Sequence, residues 1–264
     1  MINEINIEQI RKYGICRDTG EKRRKILADE IGFPIGVQAE YVIITGCFQT
    51  DTIPHVLKDL KNLLDYFQVS YTLLEKEYCC GWMTIGQPAV MAKNIPDIDR
   101  FKEISKEFIT GNFTQAADLG AKSIALFCAA CEPNYSNYEH LTDLEVITYS
   151  QLIDRIFSQG ELHEEIDYYA GCYRFRRRIT AKPLDNEPAE RILKRIKGLR
   201  VNHLDNKLCC YIQPHLAQLV ESIKTRKIVN ICTACHLNLQ EKLAPDGRVL
   251  SKMLPEIVWE SIKK

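Results

Sequence analysis

The stretch Glu77-Tyr78-Cys79-Cys80-Gly81-Trp82 places two adjacent thiols directly before a glycine. Neighbouring side chains diverge in an extended or turning backbone, so both sulfurs cannot bind a single metal ion without strain. The pair more naturally binds different irons of one cluster. Gly81 has no side chain and lets the backbone pass close to such a cluster.

Three apolar segments of the first half each run into a cysteine motif. These segments and the motifs that follow them are 41–44 before Gly46-Cys47-Phe48, 71–74 before the adjacent pair, and 123–127 before Cys128-Ala129-Ala130-Cys131. Helical patterns at about 52–67 and 97–119 separate the segments. Alternating strands and helices predict an α/β fold with a largely parallel sheet, which would place the cysteines at the carboxyl ends of the strands.

The same order of motifs returns about 125 residues later. Its members are Gly171-Cys172-Tyr173, Cys209-Cys210 and Cys232-Thr233-Ala234-Cys235. The Gln-Pro that opens a helix after each adjacent pair also recurs, and Asn238 takes the place of Asn134. This repeat predicts two similar strand–helix domains related by pseudo-two-fold symmetry.

The repeat also predicts how the chain is divided. We expect a short helical N-terminal extension at 1–36, a first cysteine-rich domain at 37–160 and a second at 161–264. The basic second helix of the extension fits either a solvated face or a docking surface for a partner protein. Cys16 lies in this extension, outside every cysteine pattern, and is interpreted as a bystander.

Composition narrows the classes of function. The 35 basic and 35 acidic residues balance, so the total charge indicates neither a nucleic-acid nor an acidic-membrane partner. The N-terminus does not look like a signal peptide, and no apolar run is long enough to span a bilayer, so we expect a cytoplasmic protein. Eleven cysteines in a reducing compartment favour metal ligation over disulfides.

Ten of the eleven cysteines form two sets of five. The first set is Cys47, Cys79, Cys80, Cys128 and Cys131, and the second set is Cys172, Cys209, Cys210, Cys232 and Cys235. Structural zinc and an ordinary cubane iron–sulfur cluster each take four protein ligands. Five thiols are one more than either of these sites uses. A cluster with a different arrangement of irons would use the fifth thiol.

This pattern resembles the cysteine-rich CCG family, which includes the B-type subunit of heterodisulfide reductases and related redox subunits of lactate, glycolate, glycerol-3-phosphate and succinate oxidation systems. The resemblance covers residues from about 40 to 240. It implies a non-cubane 4Fe–4S cluster on each set, with Gly81 beside the first, and cleavage of a disulfide held between the two clusters.

Two features depart from the family pattern. The spacing from the adjacent pair to Cys-x-x-Cys is 47 residues in the first copy and 21 in the second. Tyr211 replaces the glycine of the second copy, so the backbone there is more crowded and the phenol could reach a cluster or ligand. Zinc or an ordinary cubane in one half therefore stays open.

Two residues outside the sets are candidates for catalysis. His236 directly follows the second Cys-x-x-Cys and is a candidate proton donor. The pattern Cys-x-x-Cys-His is also typical of c-type haem attachment. Haem attachment normally follows export, so the absence of an export signal counts against that interpretation. Arg174 lies in a basic run after Cys172 and could clamp the carboxylate or phosphate of a charged thiol substrate. Alternatively, this basic run forms a solvated helix face or contacts a partner protein and does not bind substrate. Trp82, Met83 and Ile85 are expected to form an apolar wall and not a substrate-binding box.

The resemblance implies a redox protein like the B-type subunit of heterodisulfide reductase, which reduces or forms a disulfide. The chain has no ferredoxin-type run of cysteines and no Gly-x-Gly-x-x-Gly turn, so electrons must come from elsewhere. We expect a ferredoxin-like iron–sulfur partner subunit and a flavin-containing subunit of a larger complex. The alternatives are an electron-transfer subunit between a dehydrogenase and a quinone or other acceptor, and a zinc-binding interaction module.

Overall fold

The computed structural model of the chain describes residues 2–16, 19–172, 176, 179–245 and 247–263. Its strands are short and all pair in parallel. They are β1 (Tyr41–Ile44), β2 (Tyr71–Leu73), β3 (Ser123–Leu126), β4 (Glu145–Thr148), β5 (Gly160–Glu161), β6 (Glu165–Tyr169), β7 (Ile196–Lys197), β8 (Arg200–His203), β9 (Lys227–Asn230) and β10 (Leu250–Met253).

Helices connect these strands. They are α1 (Glu4–Tyr13), α2 (Glu21–Arg24), α3 (Gln49–Thr52), α4 (Pro54–Tyr66), α5 (Gln87–Met91), α6 (Ile95–Asp118), α7 (Glu132–Tyr138), α8 (Tyr149–Ile156), α9 (Glu187–Lys194), α10 (Gln213–Glu221), α11 (Thr233–Leu243) and α12 (Leu254–Ile262). Helix α2 continues into a π-helical stretch, Lys25–Ile31, and a second one, Trp82–Gly86, follows the adjacent cysteine pair. Such π-helical turns are frequent at functional sites. A 3₁₀ turn, Glu139–Leu141, follows α7.

The two four-stranded sheets share one topology. The first has the strand order β2-β1-β3-β4, and the second has the order β8-β6-β9-β10. In each, the second strand of the unit lies beside the first, and the third and fourth follow on the other side. The predicted α/β fold with parallel sheets is confirmed, whereas the pseudo-two-fold axis and the domain boundaries at 36/37 and 160/161 stay predictions.

The helices that cover the sheets join the two units into one core. Helix α4 of the first unit packs against α12 of the second, and α8 of the first packs against α9 of the second. The helix expected over about 52–67 is α4, which begins at Pro54 because Ile53 directly before it has a non-helical φ of −139°; the short helix α3 precedes it. Within the described ranges, no helix is both long and apolar enough to cross a membrane.

Candidate metal centre

The cysteine motifs of each unit follow the carboxyl ends of its first three strands. In the first unit Cys47 follows β1, the adjacent pair follows β2, and Cys128 follows β3. The second unit repeats this order after β6, β8 and β9. Because parallel strands end at the same edge of a sheet, the five thiols of each set lie along one edge. The structure describes all eleven cysteines, and none forms a disulfide.

A left-handed glycine precedes the first cysteine of each set. Gly46 has φ of 87° and Gly171 has φ of 90°, a conformation that favours glycine. A Cβ on Gly46 would lie 2.7 Å from the Cβ of Cys128 and 2.4 Å from Oε1 of Gln49. The glycine therefore lets the Cys47 loop approach the Cys128 loop closely.

We expect Gly46→Ala to lower the free energy of unfolding by about 1–3 kcal/mol from backbone strain, with a further loss from the clash at Cys128. Gly120→Ala is a matched control, since Gly120 has φ of 72° but open space where its Cβ would lie. Urea unfolding of both variants would measure the difference. Equal losses in the two variants would show that the close approach at Cys128 contributes nothing.

The two sets share a pattern of hydrogen bonds. The sulfurs of Cys80 and Cys131 are hydrogen-bonded at 3.5 Å, and those of Cys210 and Cys235 at 3.4 Å. Nδ2 of Asn134 donates to the sulfur of Cys80 at 3.8 Å. In the second set Nδ2 of Asn238 donates to the sulfur of Cys210 at 3.5 Å. The sequence repeat paired Asn134 with Asn238 but assigned them no role. In the structure each asparagine donates a hydrogen bond to the second cysteine of the adjacent pair in its own unit.

Each sulfur–sulfur contact favours the thiolate, the form of cysteine that binds metals, at one partner and raises the pKa of the other, Cys131 or Cys235. The hydrogen bond with Cys131 holds the pKa of Cys80 well below its usual range, and the bond with Cys235 lowers the pKa of Cys210. Hydrogen bonds from the side chain and backbone of Cys235 lower the pKa of Cys232 to about 7. Cys232 is the N-cap residue of α11, so the positive end of that helix also faces its sulfur.

Two adjacent cavities lie where the edges of the sheets meet. All five cysteines of the first set line a cavity of about 110 Å³, and all five of the second set line one of about 90 Å³. Both cavities are also lined by Trp82, Met83, Ala129, Ala130 and Tyr211. Trp82 and Met83 thus belong to a wall common to the two cavities, whereas Ile85, expected in the same wall, is buried and lines neither cavity.

The residues present fit a thiolate-bound metal group in each cavity. Each group would find five thiols, with a lowered pKa at Cys80 in the first set and at Cys210 and Cys232 in the second, and a left-handed glycine before the first of them. Across the described ranges, no three His, Cys, Asp or Glu side chains are arranged around a point for one metal ion. The five sulfurs of each set line the walls of one cavity.

The structure separates His236 from this site. It is buried, lines neither cavity, and its Nδ1 lies 3.0 Å from the hydroxyl of Ser251. Burial lowers the pKa of His236 to about 4, so the imidazole is neutral near pH 7. Its assignment as a proton donor stays a prediction, and its position does not support it.

The basic run after Cys172 is described only in part. Arg174, the candidate substrate clamp, lies outside the described residues, and its role stays a prediction. Arg176 of the same run forms a buried ion pair with Glu132, the residue after Cys131. Its Nε also donates to the carbonyl of Lys182 at 2.9 Å. Arg176 therefore joins the second unit to the first cysteine set.

Glu77 is a positioning residue that the sequence did not identify. Its Oε1 accepts from the N–H of Gly46 at 2.7 Å, and its Oε2 accepts from the N–H of Thr45 at 2.9 Å. Arg23, from α2, donates to the same Oε2 at 2.5 Å in a buried ion pair. Glu77 thus joins the loop of the adjacent pair to the loop of Cys47. Its place two residues before Cys79 is the one signal that could have pointed to it.

Comparisons with known proteins bear on the fold and the family. The chain resembles a crystal structure of a hypothetical protein from Helicobacter pylori, with a TM-score of 0.59 and 10% sequence identity over 94% of this chain and 55% of that one. This chain therefore spans about half the length of that protein, and the likeness concerns the fold alone.

A second solved structure is an aspartate racemase homologue from Pyrococcus horikoshii, with a TM-score of 0.34, 11% identity and coverage of 84% of this chain and 96% of that one. A likeness this weak carries no argument. The comparison with curated proteins gave no match.

A family model described as a cysteine-rich domain, CCG, matches residues 41–134. The segment that holds the whole first set is therefore a cysteine-rich domain of the CCG family.

Proposed function

We propose that this chain is an iron–sulfur redox protein like the B-type subunit of heterodisulfide reductases. Each set would hold a non-cubane 4Fe–4S cluster, and a disulfide would be reduced or formed between the two. The observation that carries the proposal is the pair of adjacent cavities, each lined by one complete five-cysteine set. A cysteine-rich domain of this family is typical of metal-binding redox proteins.

The reaction consumes two electrons and two protons for each disulfide and releases two thiols. When bound, the two clusters would supply one electron and one iron for each sulfur of the disulfide. The residues of the common wall have a separate task. Trp82 is buried and Met83 half-buried, so they present apolar surface to both cavities and restrict the access of water.

The electrons would come from a ferredoxin-like iron–sulfur subunit and a flavin-containing subunit of a cytoplasmic complex. The chain itself offers no ferredoxin-type cysteine run and no dinucleotide-binding turn. A second candidate function is electron transfer between a dehydrogenase and a quinone or other acceptor, because adjacent centres suit a relay as well. A zinc-binding interaction module is the third candidate, and the five-thiol sets count against it.

The first test is the metal and sulfide content of the full chain, purified without oxygen, together with its absorbance spectrum. We expect a brown protein with more iron and sulfide than the four atoms of each in one cubane. The reason is that each cavity has five thiols, enough to bind one cluster, so the chain would hold two clusters. Colourless protein with zinc at one or two per chain would contradict the redox proposal and support the interaction module.

Ala130→Leu is expected to separate disulfide chemistry from a simple relay. Its added side chain would fill space beside both cavities and hinder a disulfide, and a tenfold lower rate would correspond to a barrier about 1.4 kcal/mol higher. We expect disulfide reduction to fall further than electron transfer to a one-electron dye, with both rates expressed per iron retained, because Ala130 lines both cavities. Ala117→Leu on the exposed face of α6 is the control. Equal losses in both assays would favour the relay.

A further inference from the structure

We infer that helix α6 positions the adjacent pair Cys79-Cys80 for the first metal centre, and that Asn112 is the residue through which it does so. The inference rests on the proposed function, in that it takes the first set to hold a metal group. Asn112 is fully buried on α6, and its side chain binds the backbone of Tyr78, the residue directly before the pair. It lines neither cavity, so its role is that of a positioning residue and not of a ligand.

The side chain of Asn112 binds both backbone groups of Tyr78. Its Oδ1 accepts from the N–H of Tyr78 at 2.8 Å, and its Nδ2 donates to the carbonyl of Tyr78, also at 2.8 Å. The same Nδ2 donates to the hydroxyl of Tyr135 at 2.6 Å. Tyr135 is fully buried on α7, which begins directly after Cys131. The amide therefore connects the loop of the adjacent pair to the helix that follows the Cys-x-x-Cys motif.

These hydrogen bonds explain why a polar residue occupies this place in the core. A fully buried side-chain amide is costly unless its groups have partners. The oxygen of Asn112 has one partner and its nitrogen has two, which matches the two hydrogens that the nitrogen carries. Its neighbours on α6, Ile109 and Phe113, are buried apolar residues. Packing alone would be served by another apolar residue, so the amide is accounted for by the backbone that it binds.

A whole face of α6 contacts the same segment of the chain. Nε2 of Gln115 donates to the carbonyl of Lys76 at 3.0 Å. The ring of Phe108 lies nearly parallel to that of Tyr78, with the centroids 6.0 Å apart. A Cβ on Gly111 would lie 3.0 Å from Cε2 of Tyr78, so the glycine leaves room for the ring. Residues three and four apart share one face of a helix, and this face follows the backbone up to the adjacent pair.

The second unit is built differently at the corresponding place. The helices α5 and α10 each follow an adjacent pair, and the 24-residue helix α6 then separates α5 from β3. Only residues 222–226, all of them described, separate α10 from β9. There the carbonyl of Leu208, which corresponds to Tyr78, accepts from the hydroxyl of Tyr169 at 2.5 Å, a residue of the central strand β6. The longer cysteine spacing of the first copy thus supplies a support for one adjacent pair.

The test combines Asn112→Leu and Asn112→Ala, each of which removes all three hydrogen bonds, with Cys210→Ser or Cys80→Ser in the full chain, loaded without oxygen. The Cys210→Ser chain keeps the first centre, and the Cys80→Ser chain keeps the second. Loss of an outer contact that orients a metal ligand costs about 10–100-fold in affinity. We therefore expect metal release to a chelator to become at least about tenfold faster from the first centre, with shifted sulfur-to-metal absorption bands, and to stay unchanged from the second.

Two further variants complete the test. Gln115→Leu removes one contact of the same face and should accelerate release from the first centre by a smaller factor. Ile109→Ala is the matched control, because it leaves a cavity beside α6 in the same core but removes no hydrogen bond of a side chain. Equal acceleration by Ile109→Ala and the Asn112 variants would overturn the inference, since the stability of α6 alone would then govern release.

The inference would also be overturned by unchanged release and unchanged bands in the Asn112 and Gln115 variants, or by equal acceleration from both centres. The iron and sulfide content of the wild type tests the proposed function separately. If the wild type holds zinc, the same comparison on cobalt-substituted protein, read from its sulfur-to-cobalt bands, still decides whether Asn112 positions the adjacent pair.

Discussion

Glu77→Ala is expected to lower the free energy of unfolding by about 3–5 kcal/mol, which is the usual effect of removing one partner of a buried ion pair. The substitution leaves the guanidinium of Arg23, only 9% exposed, without its carboxylate. It also removes the acceptor for the N–H groups of Thr45 and Gly46. Urea unfolding of the variant beside the wild type would measure the loss.

The same substitution should remove the metal from the first centre. Thr45 and Gly46 directly precede Cys47, and Glu77 lies two residues before Cys79. Without the carboxylate, nothing in this network fixes one loop to the other. We therefore expect iron content to fall toward that of one centre, while the second centre keeps its spectrum.

Two variants serve as controls for this result. Glu107→Ala breaks the exposed ion pair with Arg11, where both side chains are more than two-fifths exposed, and such pairs are worth about 0.2–1 kcal/mol. Arg23→Met leaves Glu77 with its backbone donors and should cost less than Glu77→Ala. If Glu77→Ala cost no more than Glu107→Ala and kept all its iron, Glu77 would not position the first set.

The sequence predicted what local patterns can carry. The three apolar strands of each unit, their order and the cysteines at their carboxyl ends follow from hydrophobic runs that end in recognisable motifs. The fourth strands, β4 and β10, were not predicted. Both are partly exposed and lie at the edges of their sheets, so they lack the continuous apolar run of a central strand.

Contacts between distant segments explain what the sequence did not reveal at the site. The carbonyl of Gly14, at the end of α1, accepts from the N–H of Cys79 across 64 intervening residues, and Arg23 pairs with Glu77 across 53. No spacing rule links these residues, because the turn at Gly14 and the packing of α1 bring them together. His236 shows the converse: it lies next to a cysteine in sequence, yet its side chain points to Ser251, away from the cavities.

The second large effect is expected from Cys80→Ser and Cys210→Ser. Each removes the thiol that is hydrogen-bonded both to the Cys-x-x-Cys motif and to an asparagine of its own unit. Serine is a poor ligand for iron, so each variant should lose one centre and about half of the iron, and the double variant should lose nearly all. Iron and sulfide analysis of the three variants would measure this.

The two single variants are controls for each other, since they change the same chemistry in different units. If a disulfide receives one electron from each centre, losing either one should abolish its reduction, although half of the iron remains. A one-electron dye could still be reduced by the surviving centre. Disulfide reduction at half the wild-type rate in each single variant would mean that the centres act independently, and the cleavage between two centres proposed for this chain would then be wrong.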